Sequence, residues 1–461
     1  MLVPLFVAVE RSSPARAALL VYVYSAARAL VIVRWLVQAL AIEYGVPTLA
    51  AWLFTGLLVG AYVCLPASAA FIYRHVRLRV GVGAAPLVLG ALWCLAEWLR
   101  AVPGGLPWVL TAHVLAPVPL AYQVADLGGV SLVGFVLVCA NAAIAGALVQ
   151  RSPHPLWGAG SLVALTLVYG TWQLHRSEGP GPSLRVGVVQ AAVPVSERFQ
   201  PGSAERNVRR HIELTRELAR ERPDLVVWSE TAIDTDLDQA PGIVEALVEL
   251  ARDTSIPIVS GAPRSLGGRR TNSVVLVTPE SGLVESYDKQ RLVPFSEYDP
   301  PLFGWLAPLL GPVTQGDPYV PGDSRLLVQG PVPLATPICF EITYPDLVRG
   351  LQARGAGLVV NLSNDAWFGR TSYAALHFLH ARFRAVELRT WVVRAANTGL
   401  SGIVDPRGRI VASLPVFAEG TLHAEVGPAL GPTLYARFGD APILLLLGTV
   451  VLAATSLRGS R

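Results

Sequence analysis

Three stretches of the chain, Thr48 to Tyr73, Leu127 to Val149 and Pro155 to Leu174, carry no charged side chain. Each is as long as the roughly 20 apolar residues that cross a bilayer core, so a membrane is the natural solvent for them. Val80 to Ala96 and Ala441 to Leu457 are shorter but reach the lower limit of about 17 residues. Ala17 to Ile42 is equally apolar except for Arg28 and Arg34, whose charges must face protein or reach the interface. Six membrane helices are therefore expected. The composition agrees, with 52% hydrophobic and 15% charged residues, against about 25% charged in soluble domains. A net charge of +4 spread over scattered arginines gives no basic patch, which argues against nucleic acid as a partner.

Charge also sets the orientation. With five helices before residue 180 and one after residue 440, the pair Arg11 and Arg16, the run Arg74, Arg77 and Arg79, then Arg151, and the pair Arg458 and Arg461 all share one side. By the positive-inside rule that side is cytoplasmic. Residues 183–432 then lie on the opposite side, periplasmic in a bacterium with an inner membrane. No cleavable signal peptide is read, so the first helix is expected to act as an uncleaved anchor. The expected division is a membrane domain over residues 1–180, a water-facing domain over 183–432 and a last membrane helix over 441–457.

Within 183–432 the pattern changes. Short β-branched runs at Leu184 to Gln190, Leu225 to Trp228, Ile256 to Ser260, Ser273 to Thr278 and Leu358 to Leu362 alternate with amphipathic helical segments, the signature of an α/β domain. Val208, Ile212, Thr215 and Leu218 recur at helical spacing in Glu205 to Arg222, and a second helix is expected over Thr343 to Arg354.

Two compositional exceptions point to chemistry. Of the 37 basic residues only Lys289 is a lysine. A genomic preference for arginine explains the bias but not the exception; an ammonium is compact and changes its pKa when desolvated, which a guanidinium does not do. Of the four cysteines, Cys64, Cys94 and Cys139 sit in the apolar runs and read as small packing residues, leaving Cys339 alone in the α/β segment with no disulfide partner.

Three apolar stretches end in reactive side chains: Asp224 to Glu230 (DLVVWSE), Tyr287 to Glu297 (YDKQRLVPFSE) and Leu334 to Glu341 (LATPICFE). Singly, each is more often a solvated strand end or an inert core thiol. Together they supply what attack on an ester needs: a thiol, a carboxylate base to deprotonate it, and a cation to hold the charge that develops on the carbonyl oxygen. No Gly-x-Ser-x-Gly elbow competes. His377 and His380 are spaced i, i+3 on an expected helix; no ligand pattern accompanies them, so they read as helix-surface or packing residues and no metal is expected.

These segments, in this order, resemble the carbon-nitrogen hydrolase (nitrilase) superfamily, and the surrounding membrane helices resemble its apolipoprotein N-acyltransferase branch. The likeness rests on Trp228 and Glu230, on Lys289 with Leu292 to Glu297 and Pro300, on Cys339 with Glu341, on Asn361 to Gly369 (NLSNDAWFG), His377 and Arg394 to Gly399. In the membrane part it rests on Glu97 to Arg100, Leu106, Pro107 and Trp108, and in the tail on Tyr435 to Gly439. The resemblance implies an αββα sandwich inserted in a polytopic helical membrane domain. It implies Glu230 as general base, Lys289 as oxyanion stabiliser and Cys339 as the nucleophile that becomes a thioester, with no cofactor. Glu297 and Glu341 are expected helpers. For Glu297 two readings stand, a carboxylate that orients Lys289 and an acceptor that fixes its own loop. The N–H of Phe340 is a candidate second oxyanion donor. Asn364, Trp367 and Phe368 are candidate substrate-binding residues, the aromatics meeting acyl chains or the bilayer surface; the plainer reading is a turn with core packing.

The implied partners are a phospholipid acyl donor, a diacylglyceryl apolipoprotein acceptor and membrane lipids, served by a monomer in the inner membrane. Departures from the family pattern are Ser229 for proline, Phe340 for tyrosine and Ser296 for glycine, none of which removes a reactive group. The family carries eight membrane helices where six are counted, so an upstream pair is expected to be missing, through an overlooked start or a shortened chain. The competing reading is a membrane-tethered amidase using the same three residues, for which five preceding helices are excessive. A catalytically silent scaffold is disfavoured by the presence of all three reactive groups.

Overall fold

The computed structural model describes residues 2–101, 107–176, 183–198, 200–298, 318–322, 325 and 332–456. Leu106, Pro300, Leu457, Arg458 and Arg461, named above, lie outside the described residues. The chain divides into two units, one of Met1–Arg34, Trp52–Ser177 and Pro432–Arg461, the other of Trp35–Ala51 and Glu178–Gly431.

The first unit is helical. Among the described residues, three helices are long and apolar enough to cross a membrane by length and composition: Pro14–Ile32, Thr48–Arg79 and Ala125–Gln150. The second of these bends at Val63, between Thr48–Tyr62 and Cys64–Val76. Ala85–Ala101, His154–His175 and Ala441–Ser456 form helices where spans were expected, but fall short of those criteria. A further helix, Val3–Glu10, was not anticipated; at 8 residues it is too short to span a bilayer. Ala85–Ala101 packs against Cys64–Val76, Ala125–Gln150 and Ala441–Ser456, with Cys94 and Cys139 buried in that contact and Cys64 exposed. Leu19, Leu53, Leu57, Leu165, Val168, Leu445 and Leu452 point outward, an apolar surface suited to lipid.

The expected first span needs correction. Its helix ends at Ile32, and the rest of the apolar run forms a short helix Arg34–Gln38 and a π-helical turn Ala39–Glu43. Arg28 is satisfied inside the helical unit, donating to the Val109 carbonyl at 2.7 Å and to Thr111 Oγ1 at 3.4 Å. Arg34 stands exposed beyond the helix end.

Among its described residues the second unit holds eleven strands. They are β1 (Leu184–Gln190), β2 (Leu225–Val227), β3 (Ile258–Leu266), β4 (Arg269–Thr278), β5 (Gly282–Asp288), β6 (Leu334–Ala335), β7 (Leu358–Ser363), β8 (Val392–Ala396), β9 (Ser401–Val404), β10 (Ile410–Leu414) and β11 (Gly420–Val426). One sheet runs β11-β1-β2-β3-β4-β5 and the other β10-β9-β8-β7-β6. In each, the strands that follow helical crossovers pair in parallel (β1, β2, β3 and β6, β7, β8), and the hairpin-linked strands pair antiparallel. The sheets meet through β1 against β8 and β9. Helices Ser203–Leu218 and Pro241–Thr254 cover the outer face of the first sheet, and Pro345–Gln352 and Tyr373–Leu388 the outer face of the second. This is the αββα sandwich. Strands buried on both faces read as continuous apolar runs, which is why β1, β2, β4 and β7 were visible in the sequence.

Candidate active site

Glu230 leaves the end of β2 in a sharp turn. Trp228 anchors the approach, its indole N–H donating to Thr215 Oγ1 at 2.9 Å. Thr231 takes φ +50°, and the turn lies so close to β3 that a Cβ on Gly261 would sit 2.6 Å from the Glu230 Cα; only glycine fits there. The carboxylate is then held on both oxygens. Oε1 accepts from Asn272 Nδ2 at 2.9 Å and Lys289 Nζ at 3.2 Å, and Oε2 from the Asn364 N–H at 2.8 Å.

Lys289 follows β5 and is 1% exposed. Its ammonium lies 2.8 Å from Glu297 Oε1 as well as 3.2 Å from Glu230. Burial alone would lower its pKa, but the two carboxylates outweigh that and hold it well above the ordinary lysine value. Lys289 is therefore a fixed cation. Glu297 makes the contacts of both readings, because beside Lys289 its Oε1 accepts from Asn272 Nδ2 at 2.9 Å and its Oε2 accepts the Val293 N–H of its own loop at 2.7 Å.

Cys339 opens the 3-10 turn Cys339–Thr343 after β6 and is 6% exposed. Burial raises the thiol pKa far above its ordinary value; Glu230 and Asp365 add to this, and Lys289 opposes it. The resting group is a neutral thiol near the charges of both Glu230 and Lys289. It cannot act as a nucleophile until a base takes its proton.

Cys339 has φ +50°, a strained region for a residue with a Cβ. Three buried residues restrain it. His377 Nε2 lies 3.1 Å from the Cys339 carbonyl, and Asn361 Nδ2 donates to the same oxygen at 3.4 Å and to the Pro337 carbonyl at 2.8 Å. Arg394 bonds to Asn361 Oδ1, lies 2.9 Å from His377 Nδ1, and donates to both oxygens of Asp365 at 3.0 and 3.2 Å. A guanidinium only donates, so His377 Nδ1 accepts and Nε2 carries the hydrogen directed at Cys339. His377 is thus not a plain packing residue, as the sequence suggested; it is tied to the nucleophile's backbone. His380, on the same helix, is buried and so packs instead of facing the surface. Sulfur, carboxylate and imidazole of Cys339, Asp365 and His377 approach within 4.8 Å of one another. Arg394 already engages both Asp365 and His377 Nδ1, so these donors serve the turn and not a cation.

Burial and Arg394 lower the pKa of His377 to about 4, against the opposing charge of Asp365. His211, on the other outer helix, is lowered to about 4 chiefly by burial. Between these values and the unfolded value near 6.5 the unfolded chain binds more protons, so stability is full above about pH 6.5 and is lost as pH falls toward 4. The expected loss is on the order of 3 kcal/mol for each histidine. Thermal melts between pH 7 and pH 4.5 should show a steep fall in Tm, and one smaller in His211→Gln than in the parent.

Glu341 binds the lysine segment to the cysteine turn. Oε1 accepts the Gln290 and Arg291 N–H groups at 2.7 and 3.0 Å, and Oε2 accepts the Ile338 N–H at 2.7 Å and the Tyr287 hydroxyl at 2.9 Å. Burial pushes its carboxyl up and these donors oppose that. Phe340 is buried with its ring edge-on to Tyr344. Asn364 is wired to the base: its side chain donates to Thr231 Oγ1 at 2.8 Å and accepts the Ala366 N–H at 3.2 Å.

Trp367 and Phe368 meet residues from the other end of the sequence. Tyr44 stacks on Trp367 at 5.7 Å, and Trp35 packs edge-on against Phe368 and Tyr373 at 5.3 and 4.7 Å. The Tyr44 hydroxyl is bonded to Ser296, and burial pushes its pKa up to about 12. Residues 35–51 thus form part of the wall of this unit. Sequence reasoning missed them because they straddle the end of one apolar run and the start of the next; the Trp35, Tyr44 and Pro47 punctuation was the available signal. It also missed Asn272, a lone amide in the Val-rich β4, which bridges Glu230 and Glu297.

The carbon-nitrogen hydrolase family profile matches residues 185–432, and that of the apolipoprotein N-acyltransferase N-terminal domain matches residues 1–143. An apolipoprotein N-acyltransferase of Geobacter metallireducens is 31% identical over 473 residues, covering 99% of this chain and 90% of its own. One of Bordetella bronchiseptica is 36% identical over 403 residues, covering 80% and 73%. Among solved structures, an amidase from Nesterenkonia sp. aligns with TM-score 0.42 at 20% identity over 58% of this chain and 97% of its own. Residues 1–143 and 185–432 each match a part of one architecture, and the relatives match across both: the chain is a membrane protein of the apolipoprotein N-acyltransferase family.

Proposed function

We propose that this chain transfers a fatty acyl group from a phospholipid to the α-amino group of a diacylglyceryl-modified N-terminal cysteine, through a thioester on Cys339. The observation that carries the reading is one buried cluster in which Lys289 donates to Glu230 beside a protonated thiol. Glu230 takes the Cys339 proton as the sulfur attacks the ester carbonyl. Lys289 and the Phe340 N–H face the developing oxyanion. The tetrahedral intermediate collapses, the lysophospholipid alkoxide leaves with the proton from Glu230, and the acyl group stays on sulfur. The acceptor amine then attacks the thioester, Glu230 takes its proton, and the amide forms as the thiol is restored. Glu297 keeps Lys289 in place, and Glu341 sets the distance between the lysine segment and the cysteine turn. Asn364 orients the base, while Trp367 and Phe368 border the route of the acyl chain.

The family assignment favours this over amide hydrolysis by a tethered amidase, and the membrane helices keep the enzyme where both lipid substrates reside. Residues 1–180 apart from Trp35–Ala51, together with 441–457, form the membrane domain in this reading, with residues 183–432 periplasmic to the inner membrane and the enzyme a monomer. The purified protein, incubated with phospholipid and a diacylated lipopeptide, should add one acyl chain to the peptide by mass spectrometry. Cys339→Ala should abolish the addition. An acyl-enzyme that forms but releases only free fatty acid would favour the hydrolase reading.

A further inference from the structure

Next to Glu230 lies a cleft with ≈ 320 Å³ of empty space counting its open mouth, bordered by Thr231, Asn364, Asp234, Asn207, His211 and Arg198. It shares a wall with the base: Thr231 is the next residue, and the Asn364 N–H holds Glu230 Oε2. Two acceptor atoms at this cleft have no hydrogen-bond partner among the described residues, His211 Nε2 and Asp234 Oδ1. The imidazole is 1% exposed, and its Nδ1 lies 2.8 Å from the Asn207 carbonyl. A carbonyl only accepts, so Nδ1 carries the hydrogen and Nε2 presents a bare lone pair. Asp234 Oδ2 is occupied by Asn207 Nδ2 at 3.0 Å, which turns Oδ1 into the unmet acceptor. Buried acceptors left unpaired are uncommon and costly, and two on one cleft call for a donor. The cleft has room for about one water-sized group, the size of a primary ammonium or an amide N–H. Arg198, on the same cleft, supplies a complementary cation for an adjacent oxygen.

We propose that this cleft is a subsite for an ammonium or amide N–H donor flanked by a phosphate or carbonyl oxygen, carried by one of the two substrates. The inference rests on the acyltransferase reading above. Two sources carry that chemistry, the head group of an ethanolamine phospholipid and the first peptide bond after the acceptor's terminal cysteine.

The test is initial-rate kinetics of the full-length parent and Asp234→Ala, with ethanolamine- and glycerol-headgroup phospholipids as donors. The acceptors are a diacylglyceryl-cysteinyl peptide and its analogue with an ester in place of the first amide. Asp234→Ala should raise one KM about tenfold with kcat changed less than threefold. A rise confined to the ethanolamine donor assigns the cleft to the head group. A rise in acceptor KM with either donor, mimicked in the parent by the ester analogue, assigns it to the peptide. Both KM values within twofold of the parent, in folded Asp234→Ala or in Asp234→Ser should the alanine variant not fold, would overturn the proposal. Absence of any transfer by the parent protein would instead overturn the acyltransferase reading.

Discussion

Lys289→Arg is expected to lower the rate of acyl transfer by about 10²- to 10³-fold, the range found when one oxyanion donor is lost. Arginine serves every other basic position of the chain, so its failure here isolates what an ammonium does. Lys289 is 1% exposed and fills a site bounded by Glu230 Oε1 at 3.2 Å and Glu297 Oε1 at 2.8 Å. A guanidinium keeps the charge but is planar and larger, and its fork would engage the two carboxylates while pushing the base off its line to the sulfur. The measurement is kcat with phospholipid and lipopeptide, alongside a melt to confirm folding. Lys289→Met should be worse in stability as well as rate, since it leaves two buried carboxylates without their cation, a loss of about 3–5 kcal/mol.

Glu230→Gln is expected to slow thioester formation by about 10²- to 10⁴-fold, the range of general-base contributions. The reason lies in the thiol. Burial holds Cys339 protonated at neutral pH, so no ready supply of thiolate exists for the variant to use. The amide keeps one acceptor oxygen but brings an N–H₂ toward either Lys289 or the Asn364 N–H, both donors. Alkylation of Cys339 by iodoacetamide reads the same property without substrates: it should slow in Glu230→Gln and recover as pH is raised. An unchanged alkylation rate would remove Glu230 from the role of base.

The reactive trio was legible because each member follows a strand in its own short motif, and Lys289, on the less apolar β5, stood out as the one lysine. What surrounds the trio was not. Asn272 meets Glu230 across 42 positions, and Asn364 meets it across 134. Nothing in local spacing encodes such pairings. His377 looked like helix packing because its periodicity is that of the core face, which is true; its contact with the Cys339 carbonyl depends on the left-handed turn at Cys339, invisible in the letters CFE. The same limit explains Trp35–Ala51. Hydropathy placed Trp35 to Ile42 in the first span and Thr48 to Ala51 in the second, whereas π-helical closure at Ala39–Glu43 and stacking of Tyr44 on Trp367 go with the α/β unit. Glu341 was named as a helper on position alone, and its role emerged only with four donors converging on it from two segments.

The most direct test of the covalent route is the mass of the protein after exposure to phospholipid with no acceptor present. The expected result is one added acyl group, localised to the peptide that contains Cys339 and released by neutral hydroxylamine as a thioester would be. An unmodified protein that still transfers acyl chains to the lipopeptide, or an acyl group found on any other residue, would contradict it.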